Sequence, residues 1–202
     1  MREVMAAFTK VFTGVVAYWV GCGPENKQRV YFANHVSHFD FLLLWAALPK
    51  TVRDTTIPAA AACYWGKNRL RQWFAEDVFN AVLVERENVT RANNPIPKLA
   101  AKLDSADSLI IFPEGGRGRS PEIREFKGGI YHLAKARPGV EFVPCYIDNA
   151  YRVLPKGEFM PLPILCSVTI GAPLRLQCGE RKAEFLLRAQ QALEACTHDH
   201  YS

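Results

Sequence analysis

Ser108-Leu109-Ile110-Ile111-Phe112-Pro113-Glu114-Gly115-Gly116-Arg117-Gly118-Arg119 decides the fold of this chain. Residues 108–112 form an almost unbroken apolar run, which a strand needs when both its faces are buried. Such a strand belongs to a parallel sheet covered by helices on each side. The glycines and charges follow at once, so they are presented at a strand end.

Working outward, short β-like runs alternate with helical stretches. Residues 30–33 read as the first strand, and 38–48 as a helix that stops before Pro49. A second strand is expected over 52–57, a helix over 66–79 and a short strand over 81–84. Residues 97–104 read as a helix with Pro97 near its first turn. Beyond the central run, 127–137 is helical, 141–147 and 166–170 are strands, and 180–196 is a charged amphipathic helix. This alternation implies βαβ units. The expected fold class is α/β, one domain with a mostly parallel central sheet flanked by helices. Ligands of such sheets collect beyond the carboxyl ends of the strands.

The chain has 202 residues, enough for one sizeable core, and its 49% apolar and 22% charged content excludes disorder. A net charge of +5 favours an anionic partner, phosphate or an acidic membrane surface. Six scattered cysteines without a Cys-x-x-Cys pair point to a reducing, cytoplasmic compartment rather than a disulfide framework. Residues 1–24 are set apart from the main domain, 25–202. Their apolar stretch is short for a span of ~20 apolar residues. It reads as an interfacial helix with Tyr18 and Trp19 at headgroup depth. A core helix covering one sheet edge fits it as well, and Val20-Gly21-Cys22 has a faint likeness to a lipoprotein cleavage site.

Two constellations carry chemistry. The first is Asn34-His35-Val36-Ser37-His38-Phe39-Asp40. An imidazole is a general base near neutral pH, and a carboxylate on its far ring nitrogen fixes the tautomer. His35 in a loop can meet Asp40 in the first turn of a helix capped by Ser37. Ser37-x-x-Asp40 is equally a capping box. A metal site built on His35, His38 and Asp40 is the other reading, although zinc normally recruits further ligands. The second constellation is Phe112 to Arg119. There Gly115 and Gly116 let backbone N–H groups approach an anion, Arg117 can grip a phosphate, and Glu114 can orient an arginine or accept from a hydroxyl. A solvated glycine-rich turn explains it too. Arg86 at a strand end and Lys127 opening a helix are further cations. Tyr64, Trp65, Lys67, Arg69, Arg71, Trp73 and Phe74 mix aromatic and basic side chains, as a membrane-dipping stretch or an ordinary two-faced helix would. Cys145, within a β-run, reads as inert core, and Cys196-x-His198-x-His200 as a frayed tail.

In order and spacing these motifs resemble the glycerophospholipid acyltransferase family, of which lysophosphatidic acid acyltransferase is the best-known member. Asn34, His35 and Asp40 match the family's Asn-His-x4-Asp motif. Residues 82–86 look like its apolar strand ending in arginine, and residues 112–118 are similar to Phe-Pro-Glu-Gly-Thr-Arg-Ser. Val143-Pro144 corresponds to the fourth motif. Gly116 replaces the family's threonine and Gly118 its serine. The resemblance implies an O-acyltransferase of phospholipid biosynthesis. His35 would be general base and Asp40 its partner, with Arg86, Glu114, Gly115, Gly116, Arg117 and Lys127 holding the acceptor. It implies acyl-CoA or acyl carrier protein as donor and a lysophospholipid such as 1-acylglycerol 3-phosphate as acceptor. Neither a metal nor another cofactor is expected, nor nucleic acid. An anionic membrane is an expected partner, with peripheral or monotopic attachment at the cytoplasmic face of the cell membrane. The rival functions are a metal-dependent hydrolase and a non-catalytic lipid-binding module.

Overall fold

The computed structural model describes residues 1–37, 39–86, 89–90, 93–118, 120, 122–150 and 164–197. Seven strands form one sheet: β1 (Val16–Trp19), β2 (Arg29–Ala33), β3 (Thr56–Ala61), β4 (Val82–Val84), β5 (Ser108–Ile111), β6 (Glu141–Asp148) and β7 (Ser167–Ile170). Their spatial order is β1-β7-β6-β2-β5-β3-β4. Every pair is parallel except β6 with β7. The expected mostly parallel sheet is therefore present, with β7 and β1 running against the rest.

The central strands read as continuous apolar runs because helices cover both faces. Tyr31, Ala33, Ile110, Val143, Cys145 and Val168 point to one face, under α2 (Asp40–Ala47) and α1 (Arg2–Thr13). Val30, Phe32, Leu109, Ile111 and Phe142 point to the other. There they meet α6 (Pro95–Asp104), α7 (Gly129–Ala136) and α8 (Lys182–Ala195). The alternation of neighbours along each strand is the period of two that a pleated strand imposes. From β2 the chain crosses towards β3 in one direction. From β4 to β5, and from β5 to β6, it crosses in the other. Right-handed crossovers put the connecting helices on opposite faces when the direction reverses. The connections leaving the neighbouring strands β2 and β5 run in opposite directions, and such a topological switch point is where these sheets open a crevice.

Three expectations shift. The strand placed at 52–57 is divided: Lys50–Arg53 forms the short helix α3, and β3 begins at Thr56 and continues through Pro58 to Ala61. Proline is tolerated inside this strand because the ladder changes partner there. β3 pairs with β5 over residues 56–58 and with β4 over 59–61. The helix placed at 66–79 is present over 69–78, as α5 (Arg69–Trp73) running into a π-helical turn, Phe74–Val78, and a separate short helix, α4 (Ala62–Trp65), precedes it. α6 begins two residues earlier than expected, with Pro95 at its first position and Pro97 still within the first turn.

Residues 1–24 are not one helix. Gly14, at φ 56°, ends α1 in a left-handed cap, and β1 then joins the sheet beside β7. Val20 and Gly21 both donate to the Ile170 carbonyl. A methyl group on Gly21 would lie 2.0 Å from the Ala172 backbone nitrogen, so only glycine lets the chain approach β7 this closely. Gly21→Ala should therefore lower the urea midpoint by the equivalent of about 1–3 kcal/mol. Gly23→Ala should leave the midpoint unchanged, since its Cβ would meet only Glu25 Cγ, at 3.8 Å. Equal midpoints for Gly21→Ala and the parent chain would show β1 detached from the sheet.

Candidate active site

His35 sits in the loop that leaves β2, and Asp40 opens α2 five residues later. The Asp40 side chain is fully buried, and its Oδ2 lies 2.8 Å from His35 Nδ1. An ionised carboxylate only accepts, so Nδ1 carries the proton and Nε2 is left with a free lone pair. The same Oδ2 accepts from Val36 N at 2.7 Å and Ser37 N at 2.9 Å. The bond from Ser37 N is the carboxylate half of a capping box. The Ser37 hydroxyl instead accepts from Phe39 N at 3.1 Å. Capping and imidazole orientation are thus one interaction, not alternatives. The ring also stacks on Phe112, centroid to centroid 4.2 Å at 20°.

Asn34 locks this loop to the sheet. Its amide nitrogen donates to the Ile147 carbonyl and its amide oxygen accepts from Ile147 N, at 3.0 and 2.8 Å. The side chain thus extends the pairing of β2 with β6 past the last backbone bond.

The loop after β5 is a tight turn: Gly115 N donates to Phe112 O, with Pro113 and Glu114 between them. Gly115 has φ 73°, and a Cβ there would press on Lys127 Cγ at 3.1 Å. Two hydrogen bonds tie this turn to the His35 loop. Gly118 N donates to the His35 carbonyl at 2.7 Å, and His35 N donates to Glu114 Oε1 at 2.9 Å.

A single cavity of about 450 Å³ opens beyond these strand ends. His35, Arg86, Gly115, Gly116 and Arg117 all line it, as the sequence grouped them. Glu114 and Lys127 do not. The buried Glu114 carboxylate is spent on His35 N and on Arg124 Nε, 2.8 Å away. Lys127 packs beside Gly115, and its backbone N–H donates to Pro113 O. Arg124 carries no motif signal and escaped the sequence reading. It clamps Glu114 and also donates to the Gly116 carbonyl.

The rest of the wall is apolar. Pro58 to Ala61 line it where β3 has left β5, and Phe41, Phe74 and Phe79 form an aromatic end. Phe41 and Phe74 each meet Phe79 edge-on, at 4.9 and 5.2 Å. Tyr64, Trp65 and Lys67 line the cavity, so part of the mixed aromatic and basic stretch faces the site. Leu70 and Trp73 stay exposed.

No described aspartate or glutamate lines the cavity. Burial pushes the Arg86 guanidinium below its ordinary pKa. Cys63 counters this slightly, and the neighbouring positive charge of Arg117 adds to it. Two guanidiniums without a carboxylate partner among the described residues are a receptor for an anion. Cys145 is fully buried and its thiol is pushed well above the ordinary range, so it is core. Among the described residues no three His, Cys, Asp or Glu side chains group as metal ligands. His38, Arg119, His198 and His200 lie outside the described residues.

Residues 22–148 match the family described as Acyltransferase. The 1-acyl-sn-glycerol-3-phosphate acyltransferase of Haemophilus influenzae is 25% identical over 178 residues, 77% of this chain and 69% of that protein. The protein of the same name from Cocos nucifera is 25% identical over 84% of this chain and 56% of its own length. That from Limnanthes douglasii is 27% identical, over 76% and 53%. The chain thus spans 53% to 69% of the length of these relatives. The crystal structure of the 1-acyl-sn-glycerophosphate acyltransferase PlsC from Thermotoga maritima superposes with a TM-score of 0.75. It covers all of this chain and 80% of its own, and at 22% identity the likeness is one of fold.

Arg124 offers a direct test of the strut beneath the site. Its removal leaves the Glu114 carboxylate buried without a cation. Arg124→Ala should cost about 1–3 kcal/mol in urea unfolding, and Glu114→Gln in the same chain should recover part of that loss. Strict additivity of the two substitutions would show that the pair is not coupled.

Proposed function

The chain belongs to the acyltransferase family, and from that premise we propose that it transfers a fatty-acyl group from a thioester to the hydroxyl of a lysophospholipid such as 1-acylglycerol 3-phosphate. One observation carries this reading. The imidazole held by Asp40 shares one cavity with Arg86 and Arg117, and among the described residues that cavity has an apolar wall and no carboxylate. A base, an anion receptor and an acyl-compatible surface are what the reaction requires at one place.

In the proposed mechanism Arg86 and Arg117 hold the acceptor's phosphate and so bring its hydroxyl to His35. Nε2 takes the hydroxyl proton as the oxygen attacks the thioester carbonyl. Asp40 stabilises the imidazolium that forms. Collapse of the tetrahedral intermediate breaks the carbon–sulfur bond, and the imidazolium proton passes to the departing sulfur. The acceptor oxygen is itself the nucleophile, so no acyl-enzyme forms. Phe112, stacked on the ring, and Asn34, clamped to β6, keep the imidazole in place. Glu114 acts at one remove, by holding the His35 backbone and, through Arg124, the turn that carries Arg117.

General-base assistance accounts for ~10²–10⁴-fold in rate. Purified protein offered lysophospholipids with acyl-CoA or acyl carrier protein should yield diacyl product by lipid mass spectrometry. His35→Ala should lower turnover by that factor while the circular dichroism spectrum is unchanged. Activity should survive chelation, and His38→Ala should be milder than His35→Ala. Abolition by chelator, with equal damage at both histidines, would establish the metal-dependent hydrolase instead. Binding without turnover across all acceptors would establish a lipid-binding module.

Peripheral attachment to an anionic membrane, at its cytoplasmic face, belongs to the same proposal. No described helix is long and apolar enough to cross a membrane. In α1 the usual amphipathic order is inverted. The buried face holds Ala6, Thr9 and Thr13, whereas Met1, Val4, Phe8 and Val11 are exposed on the outer one. The hydroxyls of Thr9 and Thr13 bond to the carbonyls of Met5 and Thr9, so the inner face carries no unpaired hydroxyl. The outward stripe suits a helix lying on a bilayer surface. All six cysteines are free thiols, as in a reducing compartment. Val4→Asp with Phe8→Asp should reduce sedimentation with anionic vesicles about tenfold or more. Undiminished sedimentation would place the contact elsewhere.

A further inference from the structure

The turn after β5 holds three glycines, Gly115, Gly116 and Gly118, and the fold accounts for two of them. Gly115 takes φ 73°. Gly118 is crowded, since a Cβ there would lie 3.2 Å from the Ser120 carbonyl oxygen and 3.7 Å from that of His35. Gly116 is different. Its φ lies outside the left-handed range, and a Cβ built on it would meet nothing within 4 Å. Neither conformation nor packing calls for glycine there, although glycine loses more conformational freedom on folding than any other residue. Gly116 is half-buried and lines the cavity beside Arg117. The space it leaves therefore belongs to the site.

That space is held open by the backbone around it. Arg124 donates to the Gly116 carbonyl, and Gly118 N donates to the His35 carbonyl. The N–H groups of Gly116 and Arg117 have no partner among the described residues, so they can serve the oxygens of a ligand. Charge narrows the class of ligand. The described charged side chains along the cavity, Lys67, Arg86 and Arg117, are all cations. A headgroup bearing an ammonium would meet only like charge there. An uncharged polyol would meet donors and free space.

Resting on the acyl-transfer reading, we propose that Gly116 sets the choice of acceptor: its missing side chain admits a lysophospholipid whose phosphate is a diester of a small uncharged polyol such as glycerol, besides the simple monoester. The polyol lies over the Gly116 backbone, where its oxygens accept from the two N–H groups. Threonine, which the motif resembled by this segment carries at the same place, would fill the space.

The test is steady-state kinetics of the parent chain, Gly116→Ala and Gly116→Thr, with acyl-CoA and acyl carrier protein as donors. The acceptors are 1-acylglycerol 3-phosphate, its glycerol diester and its choline diester. The parent should use the glycerol diester, and should prefer it to the choline diester about tenfold or more. The ratio of kcat/KM for the glycerol diester over the monoester should fall about threefold in Gly116→Ala and about tenfold or more in Gly116→Thr. The urea midpoint of Gly116→Ala should stay at or above that of the parent, because alanine restricts the unfolded chain and meets nothing in the folded one. A parent that uses the monoester alone, or both diesters equally, overturns the proposal. So does an unmoved ratio in both variants, a loss accounted for by a raised donor KM, or a lowered midpoint in Gly116→Ala. Absence of turnover by the parent with every acceptor and both donors would sink the acyl-transfer reading and this inference with it.

Discussion

The site depends on one buried oxygen. Asp40, fully buried at the start of α2, accepts at Oδ2 from the His35 ring and from the backbone nitrogens of Val36 and Ser37. A buried carboxylate needs donors, and the loop supplies three to Oδ2 by wrapping around it, while Oδ1 has no hydrogen-bond partner among the described residues. The wrapping sets the ring's position and leaves one nitrogen, Nε2, to face the cavity. The start of α2 and the orientation of the His35 ring are therefore a single solution. The buried Glu114 repeats the device on the neighbouring loop, with the His35 backbone on one oxygen and Arg124 on the other.

The cavity is a consequence of strand pairing. β3 runs beside β5 only as far as Pro58 and then turns its hydrogen bonds to β4. Proline donates no hydrogen bond, so the change of partner falls where the ladder loses nothing by it. Beyond that point the strand ends part, and small alanines line the gap between the turn that carries Arg117 and the aromatic end. The π-helical turn at Phe74–Val78 carries Phe74 and Ala75 into the same wall. Such turns recur at functional sites because they re-aim side chains without ending a helix.

The remote face of the molecule is organised by different physics. α2 is apolar nearly all round because the sheet lies under it and α1 over it. The guanidiniums of Arg2 and Arg53 both lie over the Trp45 ring, at 5.3 and 5.1 Å from its centroid, and Trp45 donates to the Arg53 carbonyl. Arg53 in turn reaches Glu3 at 2.7 Å. These contacts fasten α1 through its ends and small side chains. Its large apolar residues are left outward.

The sequence by itself determined the layered α/β fold, since runs such as Leu109-Ile110-Ile111 are compatible only with strands covered on both faces. It also pointed to the residues that meet at the cavity, because an imidazole five residues from a carboxylate, and arginines at strand ends, have few other reasons to occur together. It could not determine what each motif residue is spent on. Glu114 reads as a substrate ligand in one dimension, yet it is a strut, because its partners His35 and Arg124 come from elsewhere in the chain. Nor could it place β3, whose proline looks like a terminator until a second partner strand accepts the ladder. The division of 1–24 into an inverted helix and a sheet edge was equally hidden. Periodicity reports where apolar side chains recur, whereas the choice of neighbour is a property of the assembled chain. Hydrogen bonds between segments distant in sequence are settled only in three dimensions.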